Sequence, residues 1–267
     1  MHYFAGLFDA EGYVSLCPNG AFTIAIEMTK EEIPNLFKKN FKGSIYERKR
    51  DKRCKTWTWK INSISSQALF FINAIADFSI VKRTQLIRLR DYLDQPKCLR
   101  KATRDISCSA IKSFKQPILQ LQHILPRIEK PIEPSFFEWF AGFIDGDGNF
   151  VCNEYIDNRN GEKYFSHQLS VANIFLESIC YINDRIPGCI SDLHRTKNKL
   201  YKWTCKRNAE KFVCGEILPF LKLKKSQCVL FLEFLGFPDK VRNIPYTSEV
   251  RDRMYNIINQ IKHLNSL

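Results

Sequence analysis

The sequence has no uninterrupted apolar run of the roughly 18 residues that a membrane-spanning helix needs. Its ten cysteines include no CxxC pair, which argues against a structural zinc site. The first residues, MHYFAGLFDAEG, show no pattern of a leader peptide. We therefore expect a protein of a reducing intracellular compartment, an organelle (chloroplast or mitochondrion) or a prokaryotic cytoplasm, with its cysteines as small buried apolar residues.

Acidic residues are scarce relative to basic ones. The chain has 28 Asp and Glu residues but 41 Lys and Arg residues, and its formal net charge is +13. An excess of this size is typical of proteins that bind a polyanion, nucleic acid first and an anionic membrane second, although it can also serve only solubility. Apolar residues make up 45% of the 267-residue chain, which is the composition of a packed globular protein of one large or two ordinary domains.

The chain contains an internal repeat, which is best sought before any other pattern. Residues 4–12 read FAGLFDAEG and residues 140–148 read FAGFIDGDG. Four landmarks follow each copy in the same order, and they pair as Gly43 with Gly188, Trp57 with Trp203, Lys82 with Lys224, and Gln85 with Gln227. We predict a first half at 1–95, a linker with a short helix at 96–134, and a second half with a C-terminal helix at 135–267.

Hydrophobic periodicity predicts an α+β fold with the order αββαββα in each of two pseudo-symmetric halves. The first half has predicted helices at 2–11, 30–39 and 66–92, the last broken near 78–81, and strands at 12–17, 21–28, 44–50 and 56–62. The second half has predicted helices at 135–147 and 175–186, and strands at 149–155, 165–173, 189–195 and 200–207. Thr247 or Ser248 is expected to cap a final amphipathic helix.

Small residues recur four positions apart in each motif, as Gly6 and Ala10 and again as Gly142 and Gly146. Residues at that spacing share one face of a helix, and a face without side chains lets two helix backbones touch. We therefore expect the two motif helices to pack against each other about a pseudo-two-fold axis. In each motif an acid stands before a glycine that is expected to close the helix.

If the two helices point the same way, Glu11 and Asp147 meet at their C-terminal ends, where the helix dipoles are negative. Two neighbouring carboxylates repel each other at such a place unless cations are present. Carboxylate and carbonyl oxygens are the ligands that Mg²⁺ prefers. One such triplet would more often be a turn, but two matched copies in a basic chain favour a divalent-metal site.

FAGLFDAEG and FAGFIDGDG resemble the two signature motifs of the LAGLIDADG homing endonucleases in their monomeric, two-motif form. The resemblance covers nearly the whole chain, including LKLKKSQ near the end. It implies two αββαββα halves, each with a saddle-shaped antiparallel sheet over DNA, packed through the motif helices. It also implies metal-dependent hydrolysis of both strands of a long, roughly two-fold DNA target across the minor groove, leaving short 3′ overhangs.

The resemblance also implies the active site. Two or three Mg²⁺ ions would be bound, with Mn²⁺ as a substitute and Ca²⁺ supporting binding only. The metal-binding positions would be Glu11, Asp147 and the carbonyls of Ala10 and Gly146, whereas Asp9 and Asp145 are interpreted as structural. The further catalytic candidates are Lys82, Lys224, Gln85, Gln227 and Glu27. A solvated helix lysine is the alternative for both lysines, and the counterpart of Glu27 is either Ala172 or Asn173.

Strand alternation suggests how DNA would be contacted. Period two places Trp57, Trp59 and Trp203 in the core and polar side chains on the opposite face. A twisted antiparallel ribbon with such a face fits the major groove, whereas basic loops hold phosphates. The predicted DNA-contacting residues are Tyr46, Arg48, Arg50, Thr56, Thr58, Asn153, Tyr155, Gln168, Ser170, His194, Arg195, Lys197, Lys202 and Thr204.

Two other functions fit the same sequence. An intron RNA maturase or a non-cleaving DNA-binding protein could use this fold, and maturases can keep both acids, so a dual role stays open. A basic structural protein with a chance motif would show no metal dependence. We expect double-stranded DNA as the partner, with intron RNA as a second candidate and no membrane partner. We expect a monomer, because both half-sites lie in one chain.

Overall fold

The computed structural model describes residues 1–49, 55–112, 133–156, 163–193, 199–238 and 246–266. These residues form two compact units. Unit 1 contains the described residues up to 112 together with Pro134–Gly146, and unit 2 contains residue 133 and the described residues from Asp147 onward. The boundaries near 95 and 135 that the sequence suggested stay a prediction.

Unit 1 begins with a motif helix and contains one four-stranded antiparallel sheet in the order β1-β2-β4-β3. Its elements are α1 (His2–Glu11), β1 (Gly12–Leu16), β2 (Phe22–Met28), α2 (Glu32–Phe41), β3 (Ser44–Arg48), β4 (Thr56–Asn62), α3 (Ser65–Ile75), α4 (Arg83–Asp94), α5 (Lys97–Lys112) and α6 (Pro134–Asp147), whose last residue belongs to unit 2. The helix predicted over 66–92 is therefore two helices, α3 and α4.

Unit 2 contains a second four-stranded antiparallel sheet, in the order β5-β6-β8-β7. Its elements are β5 (Gly148–Ile156), β6 (Lys163–Asn173), α7 (Leu176–Asn183), β7 (Gly188–Leu193), β8 (Leu200–Cys205), α8 (Arg207–Ile217), α9 (Lys225–Phe234) and α10 (Ser248–Ser266). Two similar halves of mixed α and β structure are thus present, as the periodicity predicted. At the start of α10 the Thr247 hydroxyl accepts a hydrogen bond from Val250 N at 3.3 Å.

Aromatic rings fill the space between the first sheet and its helices. Phe71 of α3 lies 4.9 Å from Phe41, 5.1 Å from Phe8 and 5.2 Å from Trp59, measured between ring centroids. All four rings are fully buried. Burying a side chain of this size stabilises the fold by about 1.5–3 kcal/mol, so this cluster holds the sheet and the end of α1 in place.

The strand registers show which residues of the two halves correspond. The same succession of pairs runs through both sheets, Gly12–Ile26–Trp59–Ile45 in the first and Gly148–Val171–Trp203–Ile190 in the second. Trp203 therefore corresponds to Trp59, and the predicted match to Trp57 is wrong by two residues. The sequence pattern could not separate the two, because residues two apart in a strand point to the same face.

Helix α5 lies in the polar, basic stretch that the sequence suggested as a linker, and it packs against α4 and β1 of unit 1. The short helix predicted within 113–125 falls outside the described residues. In the described part of the chain, no helix combines the length and the apolar composition needed to cross a bilayer. The eight cysteines whose side chains the structure describes are free thiols, and Cys205 and Cys228 are buried as predicted.

Candidate functional site

The motif helices α1 and α6 touch through their backbones. A Cβ atom built on Gly6 would lie 1.9 Å from the Trp139 carbonyl oxygen, and one built on Gly142 would lie 2.0 Å from the Tyr3 carbonyl oxygen. Any side chain at either glycine would overlap the facing helix. The bare faces therefore serve the close packing that the sequence predicted.

The two helices run in the same direction, because Tyr3 faces Gly142 whereas Ala10, further along α1, faces Gly146, further along α6. A Cβ atom built on Gly146 would lie 2.5 Å from Ala10 Cβ and 3.0 Å from Glu11 Cγ. Asp147 follows Gly146 directly and is the last residue of α6. Each motif helix thus ends in an acid, and both Glu11 and Asp147 are half-buried.

The glycine after the first acid closes α1 as expected, but without the left-handed backbone that is common at helix ends. Gly12 is extended, with φ −77° and ψ 155°, and it starts β1. A Cβ atom at Gly12 would lie 2.4 Å from both the Phe8 carbonyl oxygen and the Phe8 ring. The position therefore needs glycine because the strand turns back against the last turn of α1.

Asp9, the central acid of the first motif, is fully buried and anchors the segment that leads into α4. Its Oδ1 accepts hydrogen bonds from Ser79 Oγ at 2.5 Å, Val81 N at 3.2 Å and Lys82 N at 2.9 Å. Its Oδ2 accepts one from Ile80 N at 2.7 Å. Asp9 thereby fixes the backbone of Lys82, so the acid interpreted as structural positions a catalytic candidate.

The residue before each motif donates a hydrogen bond to the central acid of the other motif. Trp139 Nε1 donates to Asp9 Oδ2 at 3.0 Å, and Tyr3 Oη donates to Asp145 Oδ2 at 2.8 Å. Burial raises the pKa of Tyr3, and the Asp145 charge raises it further, so this phenol keeps its proton. Burial also raises the pKa of Asp9, while the bonds from Ser79 and its neighbours oppose that shift.

Asp9→Asn is expected to lower the free energy of unfolding by about 3 kcal/mol, because the amide nitrogen would face donors that now meet a carboxylate oxygen. Chemical denaturation of the purified variant measures this loss. Asp77→Asn is the matched control, since the Asp77 side chain is 75% exposed. Equal stability of the two variants would contradict the anchoring role of Asp9.

The second acid has its own supporting contacts within unit 2. Asn173 Nδ2 donates to Asp147 Oδ2 at 2.5 Å, while Asn173 Oδ1 accepts a hydrogen bond from Phe175 N at 2.7 Å. Asn173 is buried, so its amide is held between the strand end and the carboxylate. The sequence pattern suggested Asn173 only as a counterpart of Glu27 and did not predict this contact.

The paired lysines and glutamines occupy equivalent places in the two units. Lys82 is the residue before α4 and Lys224 is the residue before α9, and each glutamine is the third residue of its helix. Lys224 Nζ donates to the Gly148 carbonyl at 2.8 Å, one residue after Asp147. Lys82, Gln85 and Gln227 are buried. Gln85 Nε2 donates to the Ile111 carbonyl of α5 at 3.4 Å.

Glu27 lies next to the end of the first motif helix. Gly12 pairs with Ile26, so Glu27 is one position beyond the last pair of this ladder, toward α1. The matching pair in unit 2 is Gly148 with Val171, which makes Ala172 the counterpart of Glu27. The Glu27 carboxylate accepts a hydrogen bond from Thr56 Oγ1 at 2.9 Å. At this position the first half therefore has a carboxylate, and the second half has only a methyl group.

One face of the first sheet is polar, and the described candidates of this unit lie on it. The register aligns Tyr46 with Thr58, Arg48 with Thr56, and Thr58 with Glu27. Lys60 and Tyr13 also lie on this face, although they were not among the residues predicted to contact DNA. Lys60 Nζ lies 4.1 Å from the centre of the Tyr46 ring. Burial raises the pKa of half-exposed Tyr13, Glu27 adds to the increase, and Arg48 opposes it.

The second sheet has an equivalent polar face, which contains Asn153, Tyr155, Gln168, Ser170, Lys202 and Thr204. Lys202 Nζ donates to Gln168 Oε1 at 2.7 Å across this face. Asn153 and Tyr155 are exposed, whereas Ser170 is only 3% exposed and presents little surface. Arg50, His194, Arg195 and Lys197, also predicted to contact DNA, fall outside the described residues.

The acids offer oxygen donors to a metal. In the described ranges no group of three or more His, Cys, Asp or Glu side chains is arranged to hold an ion. Mg²⁺ does not require such a group, because it usually keeps several waters and binds one or two carboxylates. The Glu11 and Asp147 carboxylates and the carbonyl oxygens of Ala10 and Gly146 are oxygen donors of the type that Mg²⁺ prefers.

No protein-family model and no curated protein matches the sequence. Solved structures match it over nearly its whole length. The I-LtrWI LAGLIDADG homing endonuclease bound to target DNA has a TM-score of 0.66 at 16% identity, covering 97% of this chain and 96% of that chain. The LAGLIDADG meganuclease I-AabMI bound to uncleaved DNA has a TM-score of 0.65 at 12% identity, covering 98% and 96%.

A third similar structure is the meganuclease I-SmaMI bound to uncleaveable DNA, with a TM-score of 0.61 at 17% identity, covering 99% of this chain and 96% of that chain. I-SmaMI has also been solved with an uncleaved DNA target in the presence of calcium ions, and with cleaved DNA. At these identities the likeness establishes a shared fold. The chain has the fold of the LAGLIDADG homing endonucleases.

Proposed function

We propose that this chain is a LAGLIDADG homing endonuclease that recognises one long DNA site and hydrolyses both strands in a reaction dependent on Mg²⁺. The observation that carries the proposal is the backbone contact between two parallel motif helices that end in Glu11 and Asp147. A contact this close needs glycine at Gly6 and Gly142. The fold shared with DNA-bound homing endonucleases supports the same function.

The chemistry assigns each residue near the acids a task. Glu11 and Asp147 bind the divalent ions, with the carbonyls of Ala10 and Gly146 as further ligands. When bound, such ions supply a nucleophilic water of lowered pKa and stabilise the attacking and leaving oxygens. Lys82 and Lys224 place positive charge beside the phosphate that is cut, which stabilises the charge that develops there.

The remaining polar groups would orient or hold water molecules near the phosphate. Gln85 and Gln227 orient the water around the phosphate, and Glu27 holds a further water on the first side. Because Ala172 takes the place of Glu27 in unit 2, the two sides of the reaction are not identical. We expect the two strands to be cut at different rates, with short 3′ overhangs as the product.

The polar faces of the two sheets would read the two half-sites. Strand register equates Thr58 with Lys202, since they pair with Glu27 and Ala172 respectively. Hydroxyl and ammonium groups recognise different base edges in the major groove. The two half-sites should therefore differ in sequence, and the target should be only roughly two-fold. The other residues of these faces with this role are Tyr46, Arg48, Thr56, Asn153, Tyr155, Gln168 and Thr204, whereas buried Ser170 is left out.

Asn173→Leu is expected to raise the Mg²⁺ concentration for half-maximal cleavage about 10- to 100-fold, because groups that orient metal ligands tune affinity by that amount. A titration of cleavage rate against Mg²⁺ measures the shift. Met28, which occupies the equivalent place in the first sheet, supplies the control Met28→Leu. An unchanged midpoint in Asn173→Leu would remove Asn173 from the positioning of Asp147.

Selection of bound duplexes from a randomised library in Ca²⁺ tests the proposed partner. We expect one long, roughly two-fold duplex to be enriched and then cut when Mg²⁺ replaces Ca²⁺. A site that is bound but never cut would contradict cleavage and lead to the non-cleaving or RNA-splicing alternatives. Enrichment of no duplex would contradict the proposal as a whole.

A further inference from the structure

One layer of the core is polar in unit 2 and apolar in unit 1. The strand registers equate His167 of β6 with Phe22 of β2. Helices α3 and α8 have eleven residues each and the same burial pattern, which equates Glu210 with Ala68. A buried Phe and Ala in the first half are thus replaced by His and Glu in the second.

Both members of this polar pair form hydrogen bonds to each other and to neighbouring groups. His167 Nδ1 lies 2.5 Å from one Glu210 oxygen, and the other oxygen accepts a hydrogen bond from Leu169 N at 2.8 Å. Arg207 Nε donates to His167 Nε2 at 3.0 Å, so both ring nitrogens of His167 have a partner. Buried polar pairs stabilise a fold no better than well-packed apolar side chains. Core packing alone does not account for this exchange.

Beside this pair, β6 extends beyond the residues that pair with β8. Strand β4 pairs with β2 at six positions, whereas β8 pairs with β6 only at four, from Ser170 to Asn173. Within the described chain, the β6 edge at 163–169 has no strand on that side. A cavity of about 390 Å³ lies beside this part of β6, between the strand and helices α8 to α10. Its volume is within the usual range for small-molecule sites, roughly 300–1,000 Å³.

The cavity combines aromatic rings with positive charge. Phe165, Phe237 and Tyr246 line it, and the Phe165 and Tyr246 rings lie 5.8 Å apart. Arg207 and Lys211 also line it, one turn apart on α8, and none of the described lining residues is acidic. The contact with His167 holds the Arg207 guanidinium at the wall. Such a cavity suits an aromatic ring that carries an anionic group.

We propose that this cavity is a nucleotide-binding site, in which the base stacks on the aromatic rings and the phosphate binds Arg207 and Lys211. Bases stack on aromatic side chains without regard to sequence, and charge-assisted bonds to guanidinium and ammonium groups recognise phosphate. The His167–Glu210 pair positions Arg207. The nucleotide is either free in solution or an unpaired residue of a single strand.

The site is distinct from the polar sheet face proposed for duplex DNA. Successive residues of a strand point to opposite faces, and Gln168, the neighbour of His167, lies on the polar face with Lys202. His167 and Phe165 lie on the helix-covered face. Nucleotide binding could therefore fail its test while duplex cleavage passes, and duplex cleavage could fail while nucleotide binding passes.

Calorimetric titration of the full chain with nucleoside monophosphates, inorganic phosphate and uncharged nucleosides tests the proposal. We expect saturable binding of the monophosphates and much weaker binding of phosphate or nucleoside alone. Arg207→Gln and Lys211→Gln should each weaken binding about tenfold, the effect of losing one bond to a charged group. Lys206→Gln is the control, because this exposed lysine adjoins α8 but does not line the cavity.

Photo-crosslinking with an azido-nucleotide then locates the site. Label on the 163–169 strand or on Tyr246 supports the proposal, and excess unlabelled nucleotide should remove it. Tighter binding of a short single-stranded oligonucleotide than of mononucleotide would identify the strand as the source. The proposal would be overturned if the chain bound no monophosphate, or if Arg207→Gln and Lys211→Gln left the binding unchanged. It would also be overturned if the label were confined to the polar sheet faces. Duplex cleavage by Arg207→Gln should equal that of the unmodified chain, so the two proposals fail separately.

Discussion

Glu11→Gln is expected to lower the rate of DNA cleavage in Mg²⁺ about 1,000-fold, which corresponds to about 4 kcal/mol of lost transition-state stabilisation. The substitution keeps the size of the side chain and removes the charge that would hold a divalent ion. Asp147→Asn should have an effect of the same size, because the second motif helix presents its acid in the same way. Rates of product formation on the selected duplex measure both losses.

The Glu11→Gln substitution should lower the cleavage rate without weakening the binding of DNA. In Ca²⁺ the Glu11→Gln variant should bind the selected duplex at least as tightly as the unmodified chain, because it carries one negative charge fewer near the phosphates. Glu32→Gln is the matched control, since Glu32 is exposed on α2, and it should cleave normally. A Glu11→Gln variant that cleaves like Glu32→Gln would remove Glu11 from the active site.

Gly6→Ala is expected to lower the free energy of unfolding by at least about 3 kcal/mol, the upper range for an overpacked core. The added methyl group would lie 1.9 Å from the Trp139 carbonyl oxygen, so the two helix backbones must move apart. For a chain of this size the melting temperature should fall by about 6–12 °C. Thermal unfolding followed by circular dichroism measures the change, and Gly142→Ala should behave alike.

The matched control has the opposite expected sign. Gly215 also lies inside a helix, α8, but a Cβ atom there would meet nothing within 4 Å. Gly215→Ala should therefore stabilise the chain by about 0.5–1 kcal/mol, the difference in helix propensity between the residues. If Gly6→Ala were as stable as Gly215→Ala, the backbone contact between α1 and α6 would be wrong.

The sequence was most informative where one local pattern determines one structural feature. Period-two alternation predicted the strands of both sheets, and glycine at Gly6 and Gly142 predicted the contact between the motif helices. The aromatic match of Trp57 to Trp203 failed by two residues, because neighbours two apart in a strand share a face and their letters are alike. Only the strand pairing resolves that choice.

Other features depend on contacts between residues far apart in the chain. Asp9 fixes the backbone before α4 over a separation of some 70 residues, and nothing near Asp9 in the sequence indicates its partners. Asn173 reaches Asp147 from the far end of β6. The opening lies where β6 extends beyond the residues that pair with β8, a property of the sheet rather than of a motif.

Mapping of the cleaved ends on the selected duplex tests the central claim most directly. The duplex, labelled on each strand in turn, would be incubated with the purified chain in Mg²⁺, and with the Glu11→Gln, Asp147→Asn double variant as control. We predict one cut in each strand, a few base pairs apart with short 3′ overhangs, and no cut by the double variant. An intact duplex with the unmodified chain, or equal cutting by the double variant, would contradict the account.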